Sequence, residues 1–346
     1  MENGKKKKLK KIGLILAGIV VFYIVSSLVA SVFIYRAIFK THSPSGPAFE
    51  LEYGMYEADY PRIPVTFKSG KYNIDGYLYE ANGEKKGTIV YVNGMNANTE
   101  THLPEIFYLV DSGFDVFNYN ATGTSESSGN NQIGLSKQRE DFLAALDYLE
   151  EQGIDRVYAL GHSAGGYAVA STADDERVIS VVALAGFTSP VQMMNTFASR
   201  YVGVLADIQY PFMALQHFFL FGSDGFADPV ETLNHTDKPV LVVQGTEDET
   251  VPMELSIFGV REKITGAHVA FFSQEDKHTT LHLTVEAEQY RDTVRAEYDE
   301  MAAENSGKVT PEMRATFNET IDKEKANDLD LEMMKKITDF LTESAE

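Results

Sequence analysis

The run Gly161-His162-Ser163-Ala164-Gly165-Gly166 sets a serine between glycines two positions away on either side, directly after the apolar stretch Val157-Tyr158-Ala159-Leu160. That order suits a serine at a sharp turn between a strand and a helix. Glycines there let the two elements approach closely, and the strained turn pushes the hydroxyl outward. The helix that follows aims unpaired backbone N–H groups at the same point, where they can hold a negative oxygen. The chemistry implied is nucleophilic attack on a carbonyl carbon. A bare G-x-S-x-G arises by chance in roughly one chain in ten of this length, so the inference rests on its context: a buried-strand pattern before it and the small, helix-compatible residues Gly165 to Ala173 after it.

A serine hydroxyl is a weak nucleophile until an imidazole takes its proton and a carboxylate orients that imidazole. Both residue types follow later in the chain. Lys238 to Gly245 reads as a buried strand, and the turn after it is Thr246-Glu247-Asp248-Glu249. Asp248 is the expected acid, with Glu247 and Asp276 as alternatives. A further strand, expected over 267–272, leads into Asp276-Lys277-His278-Thr279-Thr280-Leu281-His282. His278 is the expected base. His282 is the alternative, but it falls where Leu281 and Leu283 suggest a helix packing on the core. No metal is expected at this histidine pair, because Thr279 stands where a zinc hydrolase carries a glutamate after its first histidine. The expected oxyanion donors are the backbone amides of Ala164 and of Met95, which follows a turn at Asn93-Gly94 after the strand 87–92.

These stretches resemble the α/β-hydrolase family, in the branch of small bacterial esterases, lysophospholipase-like enzymes and the catalytic domain of prolyl-oligopeptidase-type peptidases. The resemblance spans about residues 61–346. It is carried by Asn93-Gly94, by the turn around Ser163 with its elbow glycines Gly161 and Gly165, by Gly245 to Pro252, and by His278 after the last strand. The family's frequent Asp-x-Arg-Gly-x-Gly-x-Ser loop appears here as Asn120-Ala121-Thr122-Gly123-Thr124-Ser125-Glu126-Ser127, without the charged pair.

The elements needed to position such a site are legible. Residues 62–67 and 73–80 alternate like a hairpin, and from Gly87 apolar strands alternate with helices, which makes an α/β fold with a mostly parallel sheet covered on both faces. Residues 187–238 are longer than one crossover helix requires and read as a helical cap. Its Met193, Met194, Phe197, Tyr201, Tyr210, Phe212, Met213, Phe218, Phe219 and Phe221 suit the lining of an acyl pocket or the packing of cap on core. Residues 284–346 read as charged amphipathic helices without chemistry.

Residues 1–11 form a basic tail and 12–35 an uncharged run long enough to cross a bilayer. A linker over 36–60, with a Pro/Ser/Gly spacer at 41–47 and after it a segment expected to pack on the domain, then leads to the hydrolase unit at 61–346. Lysines before the run predict an N-terminus inside and a hydrolase outside. A signal peptide cleaved after Leu28-Val29-Ala30 is the alternative. The chain has no cysteine, which excludes disulfides and cysteine-bound metals. Its net charge is −21, and since residues 1–40 carry about +7 the remainder holds about −28, which argues against nucleic acid as a partner. The expectation is a membrane-anchored, extracytoplasmic serine hydrolase with no cofactor, acting as a carboxylesterase on a small-molecule ester with an apolar acyl group. A serine peptidase of the oligopeptidase type and an acyltransferase are enzymatic alternatives. A non-catalytic envelope binding protein is the alternative of another class.

Overall fold

Runs of six or seven residues rich in Val, Ile, Tyr and Phe become strands buried on both faces, as expected of parallel strands covered by helices. The structure, a computed structural model, describes residues 2–40 and 46–344. Residues 41–45 of the spacer expected at 41–47 lie outside the described residues.

The strands are β1 (Arg62–Ser69), β2 (Tyr72–Tyr79), β3 (Gly87–Val92), β4 (Phe114–Tyr119), β5 (Val157–His162), β6 (Val178–Leu184), β7 (Val240–Gly245) and β8 (Val269–Gln274). They form one eight-stranded sheet in the order β1-β2-β4-β3-β5-β6-β7-β8. The hairpin β1–β2 and the pair β2–β4 are antiparallel, and every other neighbour is parallel. The carboxyl ends of β3, β5, β7 and β8 therefore share one edge. Strand β8 starts two residues later than expected, because Ala267 and His268 turn tightly, with Val269 N–H bonded to Gly266 O.

The helices are α1 (Glu2–Ile38), α2 (Leu103–Asp111), α3 (Lys137–Glu151), α4 (Ala164–Ala170), α5 (Pro190–Val202), α6 (Leu205–Phe221), α7 (Pro229–His235), α8 (Val285–Glu304), α9 (Pro311–Asn318), α10 (Lys323–Ala326) and α11 (Leu331–Glu343). Apolar faces of α2 and α11, with Leu51 and Tyr53, cover one side of the sheet. Side chains from α3, α4 and α7 cover the other. The cap between β6 and β7 consists of α5, α6 and α7.

Two features differ from the sequence reading. First, helix α1 extends beyond the uncharged run 12–35 to Ile38, and it buries Ser27, Ser31 and Tyr35 at four-residue spacing, one face of a helix, with Phe39 buried just past its end. Tyr35 and Phe39 join Met193, Met194 and Met213 of the cap and Ala164 and Tyr167 of α4 in a single cluster. Each large apolar side chain so buried contributes about 1.5–3 kcal/mol, which fixes the end of α1 to the domain. Second, Leu281 and His282 lie in turns, not in a helix. Helix α8 starts only after Thr284, whose extended backbone and side-chain oxygen cap the Ala287 N–H. Leu281 and Leu283 are nonetheless buried, as expected of residues packing on the core. The segment leading to β1 packs on the domain as expected, with Leu51 and Tyr53 in its core.

Candidate active site

Ser163 adopts φ 57° and ψ −114°, a strained conformation that the turn from β5 into α4 imposes. Its flanking glycines are required by contact. A Cβ at Gly161 would collide with the Gly165 carbonyl, and one at Gly165 with the Val92 carbonyl of the adjacent strand. A Cβ at Gly94 would stand 3.3 Å from that of Ser163, so the loop after β3 comes right up to the serine. Among the described residues, the amides of Met95 and Ala164 have no hydrogen-bond partner, and neither does the Ser163 hydroxyl.

The three possible acids separate by their surroundings. Asp248 is buried, and its Oδ1 accepts from the amides of Thr250 and Val251, both at 2.8 Å. Its Oδ2 accepts from the Gln244 side chain at 2.9 Å and meets His278 Nδ1 at 2.7 Å. Glu247 is exposed. Asp276 accepts from Gln274 and Thr280, and burial, reinforced by Glu288, pushes its carboxyl up to about 6. Only Asp248 touches His278.

The two histidines of the final loop also go separate ways. His282 Nε2 lies 3.0 Å from Glu105 Oε1, and His102 Nδ1 lies 2.6 Å from the same oxygen. Burial alone would raise the Glu105 carboxyl, but the charges of His282 and His102 and hydrogen bonds from both rings hold it well below the usual range. Donor atoms of these three residues lie within 4.8 Å of one another, a geometry that can hold a metal ion, and in the structure they bond to each other. His162 Nε2 donates to the His278 carbonyl at 2.8 Å. Burial, together with the neighbouring histidines, holds His162 well below the ordinary imidazole range, so that ring is neutral.

Ser163, His278, Met95, His102 and His282 line a cavity of about 280 Å³. Part of its wall comes from segments to which the sequence assigns no chemistry: Phe49 and Glu50 before β1, Arg291 and Arg295 on α8, and Asn327. None of the cap methionines and aromatics named above lines it. Met193, Met194 and Met213 instead pack the cap onto α4, while Tyr201, Phe218 and Phe219 face outward. Glu105 and His102 left a faint signal as a charged pair one turn apart just after the Met95 loop. Arg291 left none, since one arginine in a charged helix resembles any solvated residue.

The strand order and the strained serine at the β5–α4 turn define an α/β-hydrolase. The fold is shared with the esterase Pf2001 of Pyrococcus furiosus, at a TM-score of 0.53 and 15% identity over 76% of this chain and 98% of that one. Residues 101–299 match the prolyl oligopeptidase family, and the chain belongs to that family and is a serine hydrolase. Uncharacterized protein YfhR of Salmonella typhi is 24% identical over 221 residues, 58% of this chain and 69% of its own. The quorum-quenching protein AidA of Acinetobacter baumannii is 30% identical over 138 residues, 37% of this chain and 45% of its own.

Proposed function

We propose that the protein is a membrane-anchored carboxylesterase working through Ser163, His278 and Asp248. The observation that carries this reading is the 2.7 Å pairing of Asp248 with His278 at the wall of the cavity that also holds Ser163. Ser163 Oγ attacks the ester carbonyl while His278 Nε2 takes its proton. Asp248 accepts from His278 Nδ1–H and stabilises the imidazolium. The free amides of Met95 and Ala164 receive the oxyanion, a donor of this kind contributing about 2.7–4 kcal/mol to the transition state. His278 then protonates the departing alkoxide, and water, activated by the same ring, releases the acid from Ser163. A cavity of about 280 Å³ suits a small ester, being just below the roughly 300–1,000 Å³ typical of ligand pockets.

The apolar stretch of α1 serves as the anchor. Its window of highest hydropathy is only 6% buried in the domain, and the lysines before it favour an N-terminus in the cytoplasm with catalysis outside.

The test is covalent labelling of the full chain in detergent by a fluorophosphonate, together with turnover of ester, thioester and aminoacyl-amide panels. Labelling and ester turnover should both vanish in Ser163→Ala while the protein stays folded. Labelling that survives this substitution would place the nucleophile elsewhere. The family match favours one second reading, a peptidase, and hydrolysis of the aminoacyl amides without the esters would select it.

A further inference from the structure

Arg291 is 9% exposed, lines the cavity beside Ser163, and has no carboxylate partner among the described residues. Its Nε donates to the Ala326 carbonyl and its Nη2 to Asn327 Oδ1, both at 2.6 Å, which leaves Nη1 without a partner. Phe49 sits against the guanidinium, 5.1 Å from ring centroid to carbon, and Arg295 approaches the same ring at 5.3 Å. The acidic residue of the cavity wall is Glu50, which is exposed. The charges of Glu105 and Glu50 reach Arg291 through space, yet neither carboxylate is bonded to it, and a buried cation without a bonded counter-ion is costly to keep. Burial lowers the Arg291 guanidinium to about 10, which leaves it charged at neutral pH. Arg291, and Arg295 which is itself paired with Asp292 at 3.2 Å, put positive charge on this wall in a domain whose net charge is strongly negative.

We propose that Arg291, assisted by Arg295, is a subsite for an anionic group of the substrate, a carboxylate or phosphate carried on the ester that Ser163 cleaves. A planar guanidinium held by Phe49 and Asn327 keeps its remaining N–H groups in a fixed direction, the arrangement that favours bidentate anion binding. The inference rests on the esterase reading and specifies its substrate class.

The full chain in detergent should be assayed with 4-nitrophenyl butyrate and with 4-nitrophenyl hemisuccinate, which adds a terminal carboxylate. The hemisuccinate should be preferred. Arg291→Gln should raise its KM about tenfold or more while leaving butyrate turnover nearly unchanged, and Arg291→Lys should recover part of the loss. Succinate and inorganic phosphate, used as competitors of butyrate turnover, identify which anion the subsite prefers. Equal effects of Arg291→Gln on both esters, or no effect on either, would overturn the subsite. Failure of both esters together with absent fluorophosphonate labelling would instead overturn the esterase reading, and the subsite with it.

A separate observation concerns the cap. Helix α6 carries one charged residue, Asp207, itself bonded to Asn195, yet Leu205, Ile208, Leu215, Phe218 and Phe219 are 40–70% exposed. Tyr201 and Val204, just before it, are 85% and 79% exposed. A surface helix ordinarily presents a polar face to water, and a contiguous apolar patch marks an interaction site. This patch adjoins α1: Tyr23 packs edge-on against Phe212, the Gln209 side chain bonds to the Ser27 carbonyl, and Tyr35 bonds to His217 at 2.8 Å. About 20 residues cross a bilayer core, so a span starting at Ile12 ends near Ser31. Tyr23 and Ser27 then lie within the hydrocarbon.

We infer that α6 and the turn before it are embedded in the leaflet nearer the catalytic domain, with bilayer lipid as the partner of the apolar patch. The inference rests on α1 spanning the membrane. Because the chain lacks cysteine, single cysteines report cleanly from the full protein in phosphatidylcholine vesicles. A fluorophore at Ile208→Cys or Phe219→Cys should be quenched by lipids carrying a nitroxide at shallow depth, as should one at Val20→Cys by deeper nitroxides, while Glu300→Cys on α8 stays bright. Quenching at Val20 without quenching at either α6 position would overturn the embedding and leave the anchor intact. No quenching at Val20 would overturn the anchor, and the embedding with it.

Discussion

The side chain of His162 stands 2.8 Å from the carbonyl oxygen of His278, so the residue preceding the elbow serine holds the backbone of the proposed base. His162 is neutral and buried, with its ring 4.8 Å from that of His278, so it acts through position and not through charge. His162→Phe retains an aromatic ring and removes the donor. The expected outcome is a fall in kcat of about tenfold at nearly constant KM, partly restored in His162→Gln, which can still donate. Steady-state kinetics with a neutral ester measures it, and an unchanged kcat in the Phe variant would remove the positioning role.

Alanine at each of the two loop histidines should have opposite consequences. His278→Ala should reduce turnover at least about a hundredfold with little change in melting temperature. His282→Ala leaves buried Glu105 with His102 as its remaining imidazole partner, and should destabilise the fold by about 1–3 kcal/mol while sparing most of the activity. Thermal melts and ester assays on both variants decide it, and a reversal of the two phenotypes would transfer the base role to His282.

Asp276 imposes a pH dependence whose sign follows from its raised pKa. Its folded value of about 6 lies above the unfolded carboxyl range of roughly 3.9, so the folded chain binds this proton more tightly. The resulting stability is fully present below about 3.9 and is lost as pH rises through about 6. Asp276→Asn is neutral at every pH. It should melt higher than the parent protein at pH 7 to 8 and show a flatter profile between pH 4 and 6. Parallel profiles for the two proteins would mean that the carboxyl titrates normally.

Orientation can be read in cells. Protease added to wall-stripped cells should digest the catalytic domain and leave a small membrane-bound fragment containing α1. Protection of the domain would reverse the topology. Recovery of a soluble chain beginning near Ser31 would show that the apolar run is a cleaved signal.

Ser163, Asp248 and His278 were legible as candidates because each sits where an apolar run stops, and both the run and the turn after it are written in adjacent residues. The parallel sheet, the cap between β6 and β7 and the elbow glycines were legible for the same local reason. What the sequence could not settle was which of several neighbouring carboxylates and imidazoles would meet. Asp248 and Asp276 both follow strands, and only the course of two loops decides that the first turns toward His278 while the second is held by Gln274 and Thr280. His282 was misread as helical because Leu281 and Leu283 show burial without showing what buries them. The cap methionines and aromatics read equally as acyl-pocket lining or as packing of cap on core, because composition records how apolar a segment is, not which way it faces. They pack against α1 and α4 or point outward, and part of the cavity wall comes from Phe49, Arg291 and Asn327, of which Phe49 and Asn327 are 278 positions apart. Secondary structure follows from short-range periodicity and turn chemistry. Side-chain partnership across such separations is chosen only when the whole chain buries its apolar surface and each buried polar group takes the nearest group that can satisfy it.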